Sequence, residues 1–163
     1  RKSTTSLTSV SIPTAISNAL FLVERRLQVE NVRFTLQLPP EDIFAMCESN
    51  RLEQVLVNLY ANALDAMNGS EVRSLRVSVE CTPEHVLIHV ADTGPGLSTE
   101  VYEHLFEPFF TTKPQGLGLG LGLAISEQIT RQFGGVLRAE NAPGGGAVFT
   151  IELQIATQEE KHV

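Results

Sequence analysis

The sequence predicts a two-layer α/β sandwich, in which helices pack on one face of a mixed β-sheet. Two observations lead to this prediction. Pairs of strand-like stretches alternate with helix-like stretches, in the order helix, two strands, helix, two strands, small helix, loop, helix, two strands. No segment repeats, and 163 residues suit one domain with a single core. We expect one domain over residues 1–163, with 1–12 a linker from an upstream region and 157–163 a frayed tail.

Composition narrows the class of protein. A hydrophobic content of 42% with a charged content of 19% indicates a globular chain rather than a disordered one. The net charge of −7 disfavours a nucleic-acid surface, which is usually basic. No apolar run is long enough to span a membrane, and the first residues lack the apolar core of a secretory signal. Cys47 and Cys81 lie in apolar stretches without metal spacing, so we expect buried free thiols.

The first half of the chain begins with a helix pattern and two strand patterns. Residues 13–28 carry apolar side chains at helical spacing, which predicts an amphipathic helix. Residues 32–38 alternate apolar and polar side chains, and residues 43–47 form a short apolar run. Both patterns predict strands.

A second helix is expected to begin at Asn50, as the N-cap of a capping box with Glu53, and to end at Asn68-Gly69. Asn58, Asn62 and Asp65 follow at i, i+4 and i+7, so they share one face of this helix. Asparagine is a poor residue for a helix interior, and two of them one turn apart suggest a functional role. A solvated polar face is the alternative.

Two strands are predicted over residues 75–81 and 85–91, joined by a tight turn at 82–84. His85 and His89 lie on one face of the second strand, together with Leu87, and we expect both histidines to be structural. The four histidines of the chain form no metal-ligand pattern.

The second of these strands runs into Asp92-Thr93-Gly94-Pro95-Gly96. A carboxylate at a strand end can accept a hydrogen bond from an amino group, while the glycines let a flat ring lie close to the turn. An ordinary Asp-Gly turn is the alternative.

The last third contains a short helix over residues 98–105 with Ser98 as its cap, and a longer helix that reaches Gln132 and stops at Gly134-Gly135. Strands follow over residues 136–141 and 147–155.

The most distinctive stretch is residues 105–126, LFEPFFTTKPQGLGLGLGLAIS. Its glycines, at 116, 118, 120 and 122, alternate with leucines just before the longer helix. Glycine lets a backbone approach an anion closely and expose its N–H groups, and the helix presents its positive dipole end to the same anion. A flexible linker is the alternative, although such linkers are usually polar rather than rich in leucine.

Four motifs, in this order along the chain, resemble those of the GHKL superfamily of ATPases and kinases. NLYANALDAM resembles its N box, DTGPG its first glycine box, LFEPFFTTK the F box of sensor histidine kinases, and GLGLGLGLAIS their second glycine box. GGGAVFTIEL also resembles the final strand of these domains. The F box favours histidine kinases over the chaperones, topoisomerases and mismatch-repair ATPases of the superfamily. The sequences NALDAM and FTTKP are most similar to the corresponding motifs of the nitrogen-regulation and dicarboxylate-transport sensor kinases.

The resemblance implies a Bergerat-type ATP-binding fold with a mixed, mostly antiparallel sheet, and ATP and Mg²⁺ as cofactors. Asn62 would ligate Mg²⁺, with Asn58 supporting the metal or a phosphate, and Asp92 would accept from the adenine amino group. Residues 106–115 would form a lid in which Lys113 reaches a phosphate. The other implied nucleotide contacts are Asp65, Gly94, Gly96, Leu97, Thr111, Thr112, Gly118, Leu119, Gly120, Leu121 and Gly122.

Two departures from the family pattern bear on function. None of the four histidines stands in the acidic motif of a phosphoacceptor, so the chain resembles the catalytic half of a kinase without its acceptor. Many sensor kinases carry lysine where Asp65 stands, which removes one possible phosphate contact. No GxxxxGK[ST] string occurs, which excludes a P-loop NTPase.

The expected function is that of the ATP-binding catalytic domain of a sensor histidine kinase, which transfers the γ-phosphate to a histidine on a separate dimerisation hairpin of the same full-length protein. A response regulator is the expected downstream partner, and no nucleic acid is expected. The isolated domain is expected to be monomeric, and the full-length protein a cytoplasmic homodimer or the cytoplasmic part of a membrane-bound sensor. The alternatives are a GHKL-type ATPase or serine kinase, and a non-catalytic nucleotide-gated binding module.

Overall fold

The computed structural model describes residues 6–111 and 121–157, and within these ranges the chain forms seven strands and four helices. The helices are α1 (Ile12–Val29), α2 (Ser49–Ala66), α3 (Thr99–His104) and α4 (Gly122–Gln132). The strands are β1 (Thr8–Ser11), β2 (Arg33–Gln37), β3 (Phe44–Cys47), β4 (Ser74–Cys81), β5 (His85–Ala91), β6 (Val136–Asn141) and β7 (Ala147–Gln154). None of the four helices is long and apolar enough to cross a membrane.

The main sheet has five strands in the order β2-β4-β5-β7-β6. β2 and β4 are parallel, and the other three neighbouring pairs are antiparallel. The predicted mixed, mostly antiparallel sheet is therefore confirmed. β1 and β3 form a separate antiparallel pair, which a bridge between Ala45 and Ile155 connects to the end of β7.

The helices cover one face of this sheet. Alternate residues of β5 illustrate the division, because Val86, Ile88 and Val90 are buried whereas His85 and His89 remain partly exposed on the other face. On the buried side, α2 lies against β4 and β5, α4 lies against β6, and α1 packs against α2. The two-layer arrangement predicted from the sequence is confirmed.

Both histidines of β5 contact neighbouring side chains on the face of the sheet that the helices do not cover. The two ring nitrogens of His89 lie 2.8 Å from Thr150 Oγ1 and 2.7 Å from Glu80 Oε1. His85 Nε2 lies 3.7 Å from Glu152 Oε2. These partners agree with the structural role expected for the two side chains.

The amino-terminal segment differs from the prediction. Residues 8–11, which the sequence assigned to a linker, form β1, and the Ser11 side chain then accepts from Thr14 N as the N-cap of α1. The four-residue strand has too little alternation to be recognised from its own pattern, and its pairing with β3 defines it. Residues 1–5 and 158–163 lie outside the described part of the chain.

The start of α2 also differs, because Asn50 is not its N-cap. Glu48 takes that position, and its carboxylate accepts from Asn50 N at 2.9 Å, which suits the positive end of a helix. Glu53, expected in a capping box, instead accepts from Asn18 Nδ2 at 2.9 Å and so connects α2 to α1.

The two cysteines have different environments, so the expectation that both are buried is wrong for one of them. Cys47 is fully buried, and Cys81 is exposed. Cys81 has the same alternation as the buried Leu75, Val77 and Val79, but it is the last residue of β4. Burial decreases toward that end of the strand, where Val79 is already 7% exposed.

Candidate nucleotide-binding site

Asn58 connects α2 to the beginning of α4. Its Nδ2 donates to Ser126 Oγ at 3.1 Å and to Gly122 O at 3.4 Å. Asn62 lies one turn further along α2 and is partly exposed, and no hydrogen bond between described residues uses its side chain. Because Asn58 donates through its nitrogen, the amide oxygens of both side chains remain suited to a hard cation such as Mg²⁺.

Asp65, the third polar residue on this face of α2, forms an ion pair with a residue of α1. Arg26 Nη2 lies 2.5 Å from Asp65 Oδ1, and Arg26 Nε lies 2.5 Å from Glu30 Oε2. The Asp65 carboxylate, which was predicted to face a nucleotide, therefore has a guanidinium beside it. The positive charge of this group reduces the repulsion between the carboxylate and the phosphates.

Asp92 follows β5 directly and is 4% exposed. Its Oδ1 accepts from Gly94 N at 2.8 Å and from Ala147 N at 3.3 Å, and its own N–H donates to Ala147 O at 3.0 Å. Burial raises the pKa of the Asp92 carboxyl, and the two backbone hydrogen bonds act in the opposite direction. These bonds fix the orientation of the carboxyl while using one of its two oxygens.

Glycine is required at two positions of the loop that follows. A Cβ on Gly94 would lie 2.7 Å from Ala66 O, because the loop passes directly against the end of α2. Gly96 has φ +85°, a left-handed conformation that side chains rarely adopt. Thr93 connects the loop to β4 and the segment before it, since its Oγ1 accepts from Ser74 N and donates to Val72 O.

The glycine-rich stretch is described only at its ends. Thr111 is exposed, Leu121 occupies the N-cap position of α4 without a side-chain cap, and Gly122 is the first, exposed residue of that helix. A helix start whose N-cap side chain cannot accept a hydrogen bond is a suitable place for an anion. The other predicted contacts lie outside the described residues, namely Thr112, Lys113, Gly118, Leu119 and Gly120. The predicted lid over 106–115 is described only as far as Thr111.

The structure thus brings together three of the predicted elements. α2 with its two asparagines, the loop after Asp92, and the start of α4 meet through Asn58 on one side and Gly94 on the other. Three side chains at this place were not predicted: Arg26, Ser126 and Asn141. Nothing in the sequence neighbourhood of Arg26 or Asn141 distinguishes them from surface residues, because their partners are 39 and 44 positions away. Ser126 ends the glycine-rich stretch, but its contact with Asn58, 68 positions away, could not be predicted from that pattern.

The family model described as histidine kinase-, DNA gyrase B- and HSP90-like ATPase matches residues 47–157. The chain belongs to this family. The matched residues include all four motifs, so the resemblance stated from the sequence is confirmed. Every candidate contact described above except Arg26 lies within them.

Relatives of this ATPase family support the same assignment. The chain is 40% identical to the C4-dicarboxylate transport sensor protein DctB of Rhizobium meliloti over 141 residues, which cover 86% of the chain and 22% of DctB. It is 37% identical to the sensor histidine kinase ZraS of Klebsiella oxytoca, over 93% of the chain and 32% of ZraS. The chain therefore spans between a fifth and a third of the length of these relatives.

A solved structure has the same fold. The catalytic domain of histidine kinase ThkA, in a nucleotide-free form, superposes with a TM-score of 0.81 at 31% identity, covering 92% of this chain and 98% of that one. ThkA has also been solved in complex with the response regulator protein TrrA. In that structure the TM-score is 0.76 at 28% identity, with 92% of this chain and 42% of the other covered.

Proposed function

We propose that this domain binds ATP and transfers its γ-phosphate to a histidine on a separate dimerisation hairpin, as the catalytic domain of a two-component sensor histidine kinase. One observation carries the proposal: the buried Asp92 carboxyl, which Gly94 and Ala147 hold in a fixed orientation where the loop passes the end of α2. A carboxyl group kept in this way is suited to read one amino group of a flat base.

On the base side, Asp92 accepts from the adenine amino group. Its fixed orientation costs no reorganisation on binding, and its low exposure strengthens the hydrogen bond relative to one made in water. Gly94 and Gly96 keep side chains away from the ring, and the Leu97 main chain completes the wall of the pocket.

On the phosphate side, Asn62 would hold Mg²⁺, and Asn58 would support the metal or a phosphate. When bound, Mg²⁺ would supply positive charge opposite the phosphates. Gly122 and the beginning of α4 contribute backbone N–H groups. The proposal extends to Thr111, Thr112, Lys113, Gly118, Leu119, Gly120 and Leu121 as further phosphate contacts.

Asn58 favours transfer to a histidine over hydrolysis. An amide has no useful basicity near neutral pH, so Asn58 cannot remove the proton from an attacking water. A neutral imidazole needs no such base. General-base assistance is worth about 10²–10⁴ in rate, so we expect the domain alone to turn over ATP far more slowly than about once per second.

The partners follow from the same reaction. The hairpin that carries the acceptor belongs to the same full-length protein, which we propose to be a homodimer whose kinase part is in the cytoplasm. A response regulator receives the phosphate afterwards, in keeping with the ThkA complex with TrrA.

The test is transfer of label from γ-labelled ATP to an added histidine hairpin. We expect acid-labile label on the hairpin and none on the domain alone, because no histidine of the chain stands in an acceptor motif. Asp92→Asn should lower ATP affinity by about 10- to 100-fold, since a hydrogen bond to a charged group is lost. Brisk hydrolysis without transfer would favour the ATPase alternative. ATP binding with neither reaction would favour a binding module.

A further inference from the structure

The last residue of β6, Asn141, binds the main chain of the base-pocket loop. Its Oδ1 accepts from Leu97 N at 2.6 Å, and its Nδ2 donates to Leu97 O at 3.0 Å. Both ends of one amide thus pair with both polar groups of one residue, as a neighbouring strand would do. The two residues are 44 positions apart, so this contact fixes the loop against an otherwise distant part of the sheet.

Gly96 provides an independent indication that the loop is fitted to Asn141. A Cβ on Gly96 would lie 2.8 Å from Asn141 Oδ1, closer than real Cβ contacts. Glycine at this position therefore permits the close approach of the Asn141 amide, in addition to its left-handed φ of +85°.

The turn between β6 and β7 also holds the other end of the loop. A Cβ on Gly146 would lie 2.0 Å from Asp92 O. Ala147 O accepts from the Asp92 backbone N–H, and the Ala147 N–H donates to Asp92 Oδ1. Within the turn, Ala142 N donates to Gly146 O at 2.9 Å. The segment from Asn141 to Ala147 therefore holds both Asp92 and Leu97.

We propose that Asn141 is a positioning residue for adenine recognition, which sets the distance between the Asp92 carboxylate and the Gly94–Leu97 wall of the pocket. It acts through the loop and does not touch the nucleotide. This inference rests on the proposed function, because it assigns a role within the same base pocket. Removing the Asn141 amide should therefore lower the affinity for the base and leave the affinity for the triphosphate part unchanged.

The test compares magnesium-ATP, magnesium-GTP and magnesium tripolyphosphate in calorimetry with the whole chain. For Asn141→Ala we expect about a tenfold loss of ATP affinity, a smaller preference for ATP over GTP, and unchanged tripolyphosphate affinity. Asn141→Asp keeps the acceptor for Leu97 N but sets a carboxylate oxygen against Leu97 O, so it too should lower ATP affinity and the preference for ATP over GTP. This second variant keeps the test informative if Asn141→Ala folds poorly.

Gln154→Ala is the matched control. It removes an exposed amide at the far end of β7, roughly 23 Å from Ala147 along the strand, and should change none of the three affinities. Equal losses for ATP and tripolyphosphate, or no change in the ATP to GTP preference, would overturn the role of Asn141 while leaving the proposed function intact. A wild-type chain that does not bind ATP would overturn both.

Discussion

At the scale of residues, the candidate site depends on carboxylates held by partners that are far away in the sequence. Asp92 is held by Ala147, 55 positions later, and Asp65 is held by Arg26, 39 positions earlier. In both cases the fold determines the orientation and the electrostatic environment of the carboxylate. Each of the two environments leads to a prediction.

The first prediction is that Asp92→Asn stabilises the domain above acidic pH. Burial raises the pKa of Asp92 above its ordinary 3.8, so the folded state binds a proton more readily than the unfolded state. The contribution of Asp92 to the stability of the wild type should therefore fall as pH rises from about 3.8 through the folded-state pKa. The amide of the Asp92→Asn variant carries no charge that burial could penalise, so its stability should not fall in this way.

Thermal melts between about pH 3 and pH 7 measure this effect. The difference in Tm between the variant and the wild type should be near zero at the acidic end and grow to a few degrees at neutral pH. A variant that is less stable than the wild type at neutral pH would contradict the assignment of burial as the dominant influence.

The second prediction concerns the charge balance between Arg26 and Asp65. Arg26→Gln should weaken ATP binding about three- to tenfold more than adenosine binding, because the nearby carboxylate then repels phosphates more strongly. Asp65→Asn should leave ATP affinity unchanged or higher, and the double variant should recover most of the loss. The effect should shrink at high salt, because both side chains are partly exposed.

Binding of ATP and adenosine by the four proteins forms a double-mutant cycle. Equal losses for ATP and adenosine in Arg26→Gln would instead indicate a purely structural ion pair. So would failure of Asp65→Asn to restore ATP affinity in the Arg26→Gln background.

At the scale of elements, the sequence predicts what depends on local pattern. The spans of α1, α2, β4, β5, β6 and β7 follow from apolar periodicity and turn residues within about two residues. β1 did not follow, because four residues carry too little pattern. Neither did the cap of α2, because glutamate is not among the residues that preferentially cap helices and Asn50 is. The parallel pairing of β2 with β4 is a long-range choice that no local pattern encodes.

The residues of the candidate site also fall into those that a local pattern predicts and those that it does not. Asn58, Asn62 and Asp92 could be identified because glycine-rich motifs and helix spacing mark them. Arg26 and Asn141 could not, because an arginine on a helix and an asparagine at a strand end are ordinary surface residues until the fold brings their partners to them.

A third prediction concerns the contact between α2 and α4. Asn58→Ala removes the donors to Ser126 Oγ and Gly122 O and should loosen the first turn of α4. Hydrogen exchange of the Ile125 amide, which donates to Leu121 O, should become about two- to tenfold faster. Asn50→Ala, an exposed amide in the first turn of the same helix α2, serves as the control and should not change this rate. Unchanged exchange in Asn58→Ala would show that the two helices are held together by other contacts.

At the scale of the whole molecule, Cys47 reports on global unfolding, and Cys81 does not. Cys47 is fully buried and burial raises its pKa to about 12, so its thiol reacts only when the domain opens. Cys81 is exposed and should react at once.

The fourth prediction is that magnesium-ATP protects Cys47 and not Cys81 from a thiol reagent. At a nucleotide concentration about 100 times its Kd, the folded state gains about 2.7 kcal/mol, so labelling of Cys47 should slow about 100-fold. Labelling of Cys81 in the same sample is the internal control. Protection of Cys47 that is equal with inorganic phosphate would show that the effect does not come from nucleotide binding.

The order of strands in the sheet has a consequence for synthesis on the ribosome. β7 is the last in chain order of the strands in the described residues, yet it lies between β5 and β6, and it supplies the Ala147 groups that hold Asp92. The first four strands of the main sheet in chain order therefore emerge with β5 and β6 unpaired at the edges that β7 will fill. A nascent chain that stops before Ala147 should neither close its sheet nor orient the Asp92 carboxylate, so nucleotide cannot assist folding until translation of this domain is nearly complete.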